Sequence, residues 1–194
     1  MSSETDLPNT VQHMRDPKAM RAFAHPARLE ILDILRDQGP QTATEIAEQI
    51  GESPANTAFH LRTLAKYGFV EDAGGGTGRS RPWREKSGGM YVDESELTGE
   101  AKRSARAMVA AMRQQIYRRI ERWASERGDY PEPWNQIGFE IEFRGRLSPD
   151  EVKTVAKKFG EALEPYQRPE AKAPEGAQKV TFVAYGFPSV APPG

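Results

Sequence analysis

Residues 53–67 read Ser-Pro-Ala-Asn-Thr-Ala-Phe-His-Leu-Arg-Thr-Leu-Ala-Lys-Tyr, with helix signals at both ends. Ser53 is a favourable N-cap, Pro54 suits the first helical position, and Gly68 can end the helix in a left-handed conformation. On a helical wheel, one side carries Thr57, Leu61 and Leu64, and the other carries Ala55, Phe59, Arg62, Thr63 and Lys66. The pattern predicts a short amphipathic helix with one anchoring face and one face free to meet a partner.

A second capped helix precedes this stretch. Thr42 and Glu45 have the spacing of a capping box, and apolar residues then recur at helical spacing until Gly51. Only Glu52 separates that glycine from the Ser53 cap. Two short helices joined by a tight glycine turn indicate a helix-turn-helix.

Two helices are predicted upstream. Asp16 and Pro17 form a cap followed by a first-turn proline, and Pro26 starts a second helix that ends at Gly39. The second helix is dense in leucine and isoleucine, which predicts that it forms the centre of the core.

A basic hairpin is predicted downstream. Residues 69–73 and 79–86 are compatible with short strands, and the glycine-rich segment 74–78 lies between them. Pro82 favours an edge position for the second strand. The glycine cluster lacks the Gly-Lys-Ser/Thr ending and following helix of a phosphate loop, so we interpret it as a hairpin tip.

Composition sets limits on function. The 194 residues carry 27 Lys and Arg against 28 Asp and Glu, and they include no cysteine. The chain therefore lacks disulfides, thiolate metal sites and cysteine nucleophiles. Positive charge is concentrated in residues 53–86, with six basic against three acidic residues, and in residues 100–127, with eight against three. Neither a membrane span nor a signal peptide is evident, so we expect a soluble, cytoplasmic protein.

Residues 98–127 form the longest periodic segment and predict one long helix. We expect its apolar seam to make a homodimer, as helices do in a coiled coil, although packing within the chain is the alternative. The seam contains Val109, Met112, Ile116, Ile120 and Trp123, together with Ala105.

The C-terminal segment predicts a strand, a helix and a second strand. Residues 137–143 alternate apolar and polar, Ser148 opens an amphipathic helix, and residues 180–187 are apolar on both faces. Two strands alone are marginal, so either a second copy or another part of the chain would complete the sheet. The fold class is therefore α+β and mainly α. We expect a disordered tail at 1–15, a winged helix-turn-helix domain at 16–97, a dimerisation helix at 98–128 and a β-α-β domain at 129–194.

Together these elements resemble the winged helix-turn-helix of the ArsR (arsenic-repressor) family. The resemblance is carried by Ala-His-Pro-Ala-Arg-Leu-Glu-Ile-Leu at 24–32, Thr-Glu-Ile-Ala at 44–47, and the stretch from Ser53 to Val70. It covers about half of the chain. It implies a bacterial, dimeric transcription regulator, usually a repressor, whose helix at 53–67 enters the major groove of a pseudopalindromic operator.

The chemistry of the exposed residues fits that role. Arginine can bond guanine, asparagine can bond adenine, and an apolar ring can touch a thymine methyl group. We expect base contacts from Ala55, Asn56, Phe59 and Thr63, phosphate contacts from Arg62 and Lys66, and further contacts from Thr42, Ser53, His60, Arg79, Arg81 and Arg84. His60 has an alternative role as a histidine satisfied by a backbone group, and Phe59 could pack under the wing.

Other functions fit the sequence less well. No cysteine pair or histidine spacing suits a metal, so metal sensing is not expected, and no cofactor is predicted. No nucleophile elbow, HExxH sequence or phosphate loop indicates an enzyme. The aromatic-rich C-terminal segment suggests a site for a small-molecule effector, although a small core is the favoured interpretation. The rival function is a winged-helix protein-interaction module without specific DNA binding.

Overall fold

The computed structural model describes residues 12–86, 90–92, 94, 96–166 and 172–189. The chain forms two compact units, Met1–Gln136 and Ile137–Gly194. The second unit starts after residue 129, the predicted start of the C-terminal domain. The difference arises because the short turns Arg127–Asp129 and Trp134–Gln136 belong to the first unit. The guanidinium of Arg127 stabilises this connection by donating to the Asn135 carbonyl at 2.9 Å.

The first unit contains five α-helices among the described residues. Their bounds are α1 Pro17–Phe23, α2 Pro26–Gln38, α3 Ala43–Ile50, α4 Pro54–Lys66 and α5 Gly99–Glu126. The order and the caps confirm the predicted helix-turn-helix. None of the helices in the described part of the chain combines the length and apolar character needed to cross a membrane.

A small antiparallel sheet lies beside the helices. It is formed by β2 (Gln41–Thr42), β3 (Val70–Asp72) and β4 (Pro82–Glu85), in the order β2-β4-β3. The predicted edge position of the second wing strand is therefore wrong, since β4 is central. Pro82 is tolerated there because it is the first residue of its strand, and its carbonyl accepts a hydrogen bond from the Ala73 N–H at 2.9 Å.

The structure corrects the expected N-terminal tail. Residues 12–13 form β1 (Gln12–His13), which pairs in parallel with β5 (Met90–Tyr91), and Met14 is buried in the core. The prediction of a disordered tail is thus wrong for residues 12–15, because a buried methionine holds them to the domain. Residues 1–11 lie outside the described residues.

One core unites the helices of the first unit. Its centre is α2, as predicted, with Leu29, Ile31, Leu32 and Leu35 buried. Helix α1, the inner faces of α3 and α4, and the first half of α5 pack around it, and the shared residues include Met20, Phe23, Ile46, Leu61, Leu64, Phe69, Ala105 and Met108. The wing is attached through Trp83, which packs against this core.

One face of helix α5 packs against the core of its own chain. Ser104, Ala105, Met108 and Gln115 are buried, and Met112 packs against the core of the same chain. The alternative of packing within the chain is therefore correct for this face, because α1 and α2 cover it. The other predicted seam residues, Val109, Ile116, Ile120 and Trp123, keep partial or full exposure along an adjacent stripe.

The second unit contains α6 (Pro149–Leu163), which begins with the predicted Ser148 cap. The two predicted strands are wrong, since residues 137–147 and 172–189 contain no strand. No side chain of α6 is buried, and Phe139 and Phe143 are 67% and 77% exposed. The physical reason is that two isolated strands without a buried face are marginal.

Candidate nucleic-acid interface

Helix α4 is fixed at both ends by local chemistry. The Ser53 Oγ accepts a hydrogen bond from the Asn56 N–H at 3.2 Å, and Pro54 occupies the first helical position. After the helix, Gly68 adopts φ 76°, a left-handed conformation that favours glycine. The helix therefore starts and ends where the sequence predicts.

The two faces of α4 divide as expected. Thr57, Leu61 and Leu64 are fully buried and anchor the helix. The outward face carries Ala55, Asn56, Phe59, Arg62 and Lys66, which are exposed, and Thr63, which is half-buried. Phe59 is 54% exposed, so it does not pack under the wing. The helix thus presents an apolar ring on the same face as two basic side chains, Arg62 and Lys66.

His60 does not belong to that outward face. Its side chain is 5% exposed, and its ring lies 4.8 Å from the ring of His25. The predicted DNA contact of His60 is therefore wrong, because the imidazole is turned into the domain. The alternative of a backbone-satisfied histidine is not observed either, since Nδ1 has no hydrogen-bond partner in the structure.

Burial also changes the ionisation of this histidine pair. Desolvation lowers the pKa of His60, and the charges of His25 and Arg28 lower it further, whereas Glu52 acts in the opposite direction. Desolvation likewise lowers the pKa of His25, with Arg28 adding to the effect and Glu52 opposing it. Both rings are thus favoured in the neutral form at neutral pH.

Two of the polar side chains on the outward face already have partners. The Asn56 side-chain amide donates to the Glu52 carboxylate, and the Thr63 hydroxyl donates to the Phe59 carbonyl at 2.9 Å. Asn56 must exchange the Glu52 carboxylate for a base edge in order to read adenine. Lys66 lies over Tyr67, with its Nζ 5.5 Å from the ring centroid.

Thr42 is occupied by its own helix cap. Its backbone N–H donates to the Glu45 carboxylate at 2.7 Å, and its hydroxyl accepts from the Glu45 N–H at 3.3 Å. These hydrogen bonds from Thr42 lower the pKa of Glu45 and keep its carboxylate charged. The Thr42 amide would have to exchange the Glu45 carboxylate for a DNA phosphate, so its phosphate contact stays a prediction.

The wing is joined firmly to the helix-turn-helix. Thr42, the N-cap of α3, pairs with Pro82 across β2 and β4, and Gln41 pairs with Trp83. On the other side of β4, Val70, Glu71 and Asp72 pair with Glu85, Arg84 and Trp83 in that order. The base of the wing and the start of α3 consequently share one backbone ladder, which fixes the wing relative to the two helices.

The wing arginines form ion pairs across the hairpin. The Arg84 guanidinium lies 2.7 Å from Glu71, and Arg81 lies 3.0 Å from Asp72. Both pairs are exposed, so each stabilises the fold by at most about 1 kcal/mol and can exchange a carboxylate for a phosphate. Arg79 belongs to the turn Gly78–Ser80, and its side chain lies outside the described residues.

The wing tip folds back on itself at Gly76. A Cβ at this position would lie 2.1 Å from the Ser80 carbonyl oxygen, which is closer than a side chain tolerates. Only glycine therefore permits this loop, and the turn that carries Arg79 depends on it.

Two important residues escaped the sequence reasoning. Arg28 is only 9% exposed, and its guanidinium donates to the carbonyls of Ala22 and Arg21 at the end of α1. His25 contacts His60 from the start of α2. The Ala-His-Pro-Ala-Arg motif was the available signal, but its spacing gave no indication of which helices these side chains would join.

Within the described ranges, no group of three or more histidine, aspartate or glutamate side chains is placed to hold a metal ion. The pair of His25 and His60 thus has no third ligand of that kind among the described residues. The outward face of α4 and the wing carry exposed basic side chains, which are suited to an anionic partner.

Comparison with known proteins supports the helix-turn-helix. A family model described as "Helix-turn-helix domain" matches residues 23–73, which extend from the end of α1 to the end of β3. No curated protein matches the chain in sequence. The family match covers the part of the chain in which the two capped helices lie.

Several solved structures are similar at low identity. They include an apo mutant of ZitR from Lactococcus lactis, at 15% identity, covering 74% of this chain and 84% of that one with a TM-score of 0.30. YusO from Bacillus subtilis is similar at 14% identity, with coverages of 76% and 83% and a TM-score of 0.31. NMB1585, a MarR family regulator from Neisseria meningitidis, is similar at 16% identity, with coverages of 72% and 76% and a TM-score of 0.32. Values this low carry no family assignment, whereas the local sequence match shows that residues 23–73 are similar to a helix-turn-helix domain.

Proposed function

We propose that this protein is a winged helix-turn-helix transcription regulator that binds DNA as a homodimer. The observation that carries the proposal is the outward face of α4, where Phe59, Arg62 and Lys66 are exposed on a helix anchored by Thr57, Leu61 and Leu64. A helix of this size fits the major groove, and its polar face would meet the bases. The ArsR-like sequence between residues 24 and 70 supports a repressor that acts at a pseudopalindromic operator.

The face divides by chemistry into two kinds of contact. Ala55 and Phe59 offer apolar surface for thymine methyl groups, and Asn56 and Thr63 offer hydrogen bonds to base edges. Arg62 and Lys66 supply positive charge farther along the helix, where phosphates are reached. Arg81 and Arg84 of the wing extend the positive surface and would contact the adjacent backbone or minor groove.

The dimer would use the stripe of α5 that its own core leaves uncovered. Val109, Ile116, Ile120 and Trp123 lie on this stripe, whereas Met112 is shared with the core of its own chain. A symmetric pairing of two α5 helices would set two copies of α4 against successive major-groove segments, about one DNA turn apart. We further propose that a non-metal effector controls DNA binding by changing the arrangement of the two subunits.

Selection of binding sites from a random DNA library tests the proposal directly. We expect enrichment of an inverted repeat, and a specific complex at least about 1,000-fold tighter than the complex with competitor DNA. Arg62→Ala should weaken binding to the selected site, and Arg103→Ala, a change at an exposed arginine of α5, serves as the matched control. Failure to enrich any sequence would instead favour the protein-interaction module.

Phe59 distinguishes base reading from simple electrostatic attraction. Phe59→Ala should relax selection at one or two base positions without changing the salt dependence, because it removes apolar contact and no charge. Anisotropy titrations on single-base variants of the selected site measure this. An unchanged base preference would remove Phe59 from the reading face.

A further inference from the structure

The second unit exposes an unusual amount of apolar side chain. Phe143, Ile141 and Phe187 are 77%, 80% and 76% exposed, although all three belong to segments with strong apolar patterns. Large side chains that are also exposed include Ile137, Phe139, Val152, Val155, Phe159, Val180 and Phe182. A soluble monomer seldom leaves more than a few hundred Å² of contiguous apolar surface in water.

These side chains come from elements that already lie side by side. The rings of Phe139 and Phe182 have centroids 6.2 Å apart, so the segments at 137–147 and 177–188 are neighbours. A Cβ placed on Gly186 would lie 3.6 Å from Val152, which brings α6 against the second segment. The described residues of the unit thus form one helix and two neighbouring extended segments, and they do not enclose a core.

We propose that the second unit is half of a two-layer domain, and that the same unit of a second copy of this chain covers its apolar face. Two copies together would supply four extended segments and two helices, enough for a sheet with a buried side. A symmetric pairing is self-complementary, because the same face is used on both partners.

The apolar area suits such a pairing. A phenylalanine buries roughly 150–250 Å², so Phe139, Phe143 and Phe187 alone expose on the order of 400 Å². Together with the neighbouring isoleucine and valine side chains, the face approaches the roughly 800 Å² that each partner contributes to a stable interface. The patch is therefore large enough to hold two copies together.

The net charge of the second unit is compatible with pairing to a second copy. Residues 137–194 carry eight Lys and Arg against eight Asp and Glu, which gives a net charge of zero. Two copies can therefore meet without net repulsion, and the unit has no excess positive charge to attract nucleic acid or an acidic membrane surface. Only the ten residues 127–136 separate the end of α5 from this unit, so a dimer formed along α5 would already hold two copies near each other.

Pulsed electron paramagnetic resonance on the full chain tests the pairing without DNA. The chain has no cysteine, so Glu142→Cys gives one spin label per copy on the polar side of the first segment. We expect a single narrow distance between the two labels. Adding Ile141→Glu should broaden that distribution, whereas adding Glu140→Gln, a change on the same side as the label, should leave it narrow.

Sedimentation of the unlabelled chain gives the second readout. Ile141→Glu should weaken the association attributable to this unit at least about 100-fold, because each dimer loses two buried side chains. Ile141 is largely exposed within one chain, so the variant should fold, and circular dichroism checks this. A monomeric parent, or a dimeric parent with a broad distance distribution, would overturn the proposal. A monomeric parent would also remove the homodimer from the proposed function, whereas a broad distance distribution in a dimeric parent would overturn only the pairing of the second unit and leave site selection by α4 unaffected.

Discussion

The imidazole rings of His25 and His60 lie 4.8 Å apart, with 38° between their planes. His25 occupies the N-cap position of α2, and His60 lies on the buried side of α4, so the contact joins the core helix to the helix that would read DNA. Arg28 adds positive charge on the α2 side, and Glu52 adds negative charge from the turn before α4. Protonation of either histidine should therefore destabilise the contact between α2 and α4.

Stability should fall as the pH is lowered from about 7.5 to 5.5. Because the folded pKa values of both histidines are lowered, the unfolded chain binds more protons in this window, and the free energy of unfolding decreases as protons are added. Urea unfolding measured at several pH values gives the slope. His60→Gln should flatten it, because this change removes one of the two groups whose pKa is lowered. A parent protein whose stability does not change across this window would contradict the interpretation.

Arg28 should contribute more to stability than any exposed ion pair of the domain. Arg28→Ala leaves the carbonyls of Ala22 and Arg21 without their charged donor and opens space in a buried region. We expect a loss of about 2–3 kcal/mol in the free energy of unfolding. Arg15→Ala, which removes only the exposed pair with Glu96, should cost less than about 1 kcal/mol. Chemical denaturation measures both, and equal losses would show that burial of Arg28 is not decisive.

Features set by neighbouring residues were predictable from the sequence. The caps at Ser53, Thr42 and Ser148, the end of α3 at Gly51 and the left-handed Gly68 depend on residues within four positions, and the structure confirms each of them. The buried face of α4 was also predictable, because its apolar residues recur every three or four positions along the helix.

Features set by distant partners were not predictable. On a helical wheel, His60 lies between the buried and the outward faces of α4. Its burial depends on the contact with His25 from α2, which is distant in sequence. Strand β2 is two residues long and has no apolar pattern of its own, so the central position of β4 could not be anticipated. In the second unit, the first expected strand has an alternating pattern and the second is apolar on both faces, but neither has a covering layer among the described residues.

The wing arginines should set part of the salt dependence of DNA binding. Arg81→Ala removes a cation that can exchange Asp72 for a phosphate, so the slope of log K against log salt should become shallower by about one. Asp72→Asn should act in the opposite sense, strengthening binding, because it removes a competing carboxylate from the same arginine. Anisotropy titrations between low and moderate salt measure both variants. If neither variant changes the slope or the affinity, the wing does not contact the phosphates.

The free stripe of α5 should hold the dimer. Ile116→Glu together with Ile120→Glu would place two charges per chain in the proposed interface, and sedimentation should then show a shift from dimer to monomer. Gln114→Glu, an exposed neighbour outside the stripe, is the matched control and should leave the dimer intact. The core should survive in all variants, because Met108 and Gln115, which are buried, lie outside the stripe. A dimer that persists in the double variant would move the main interface away from α5, and the second unit would then be the surface left to hold the two copies together.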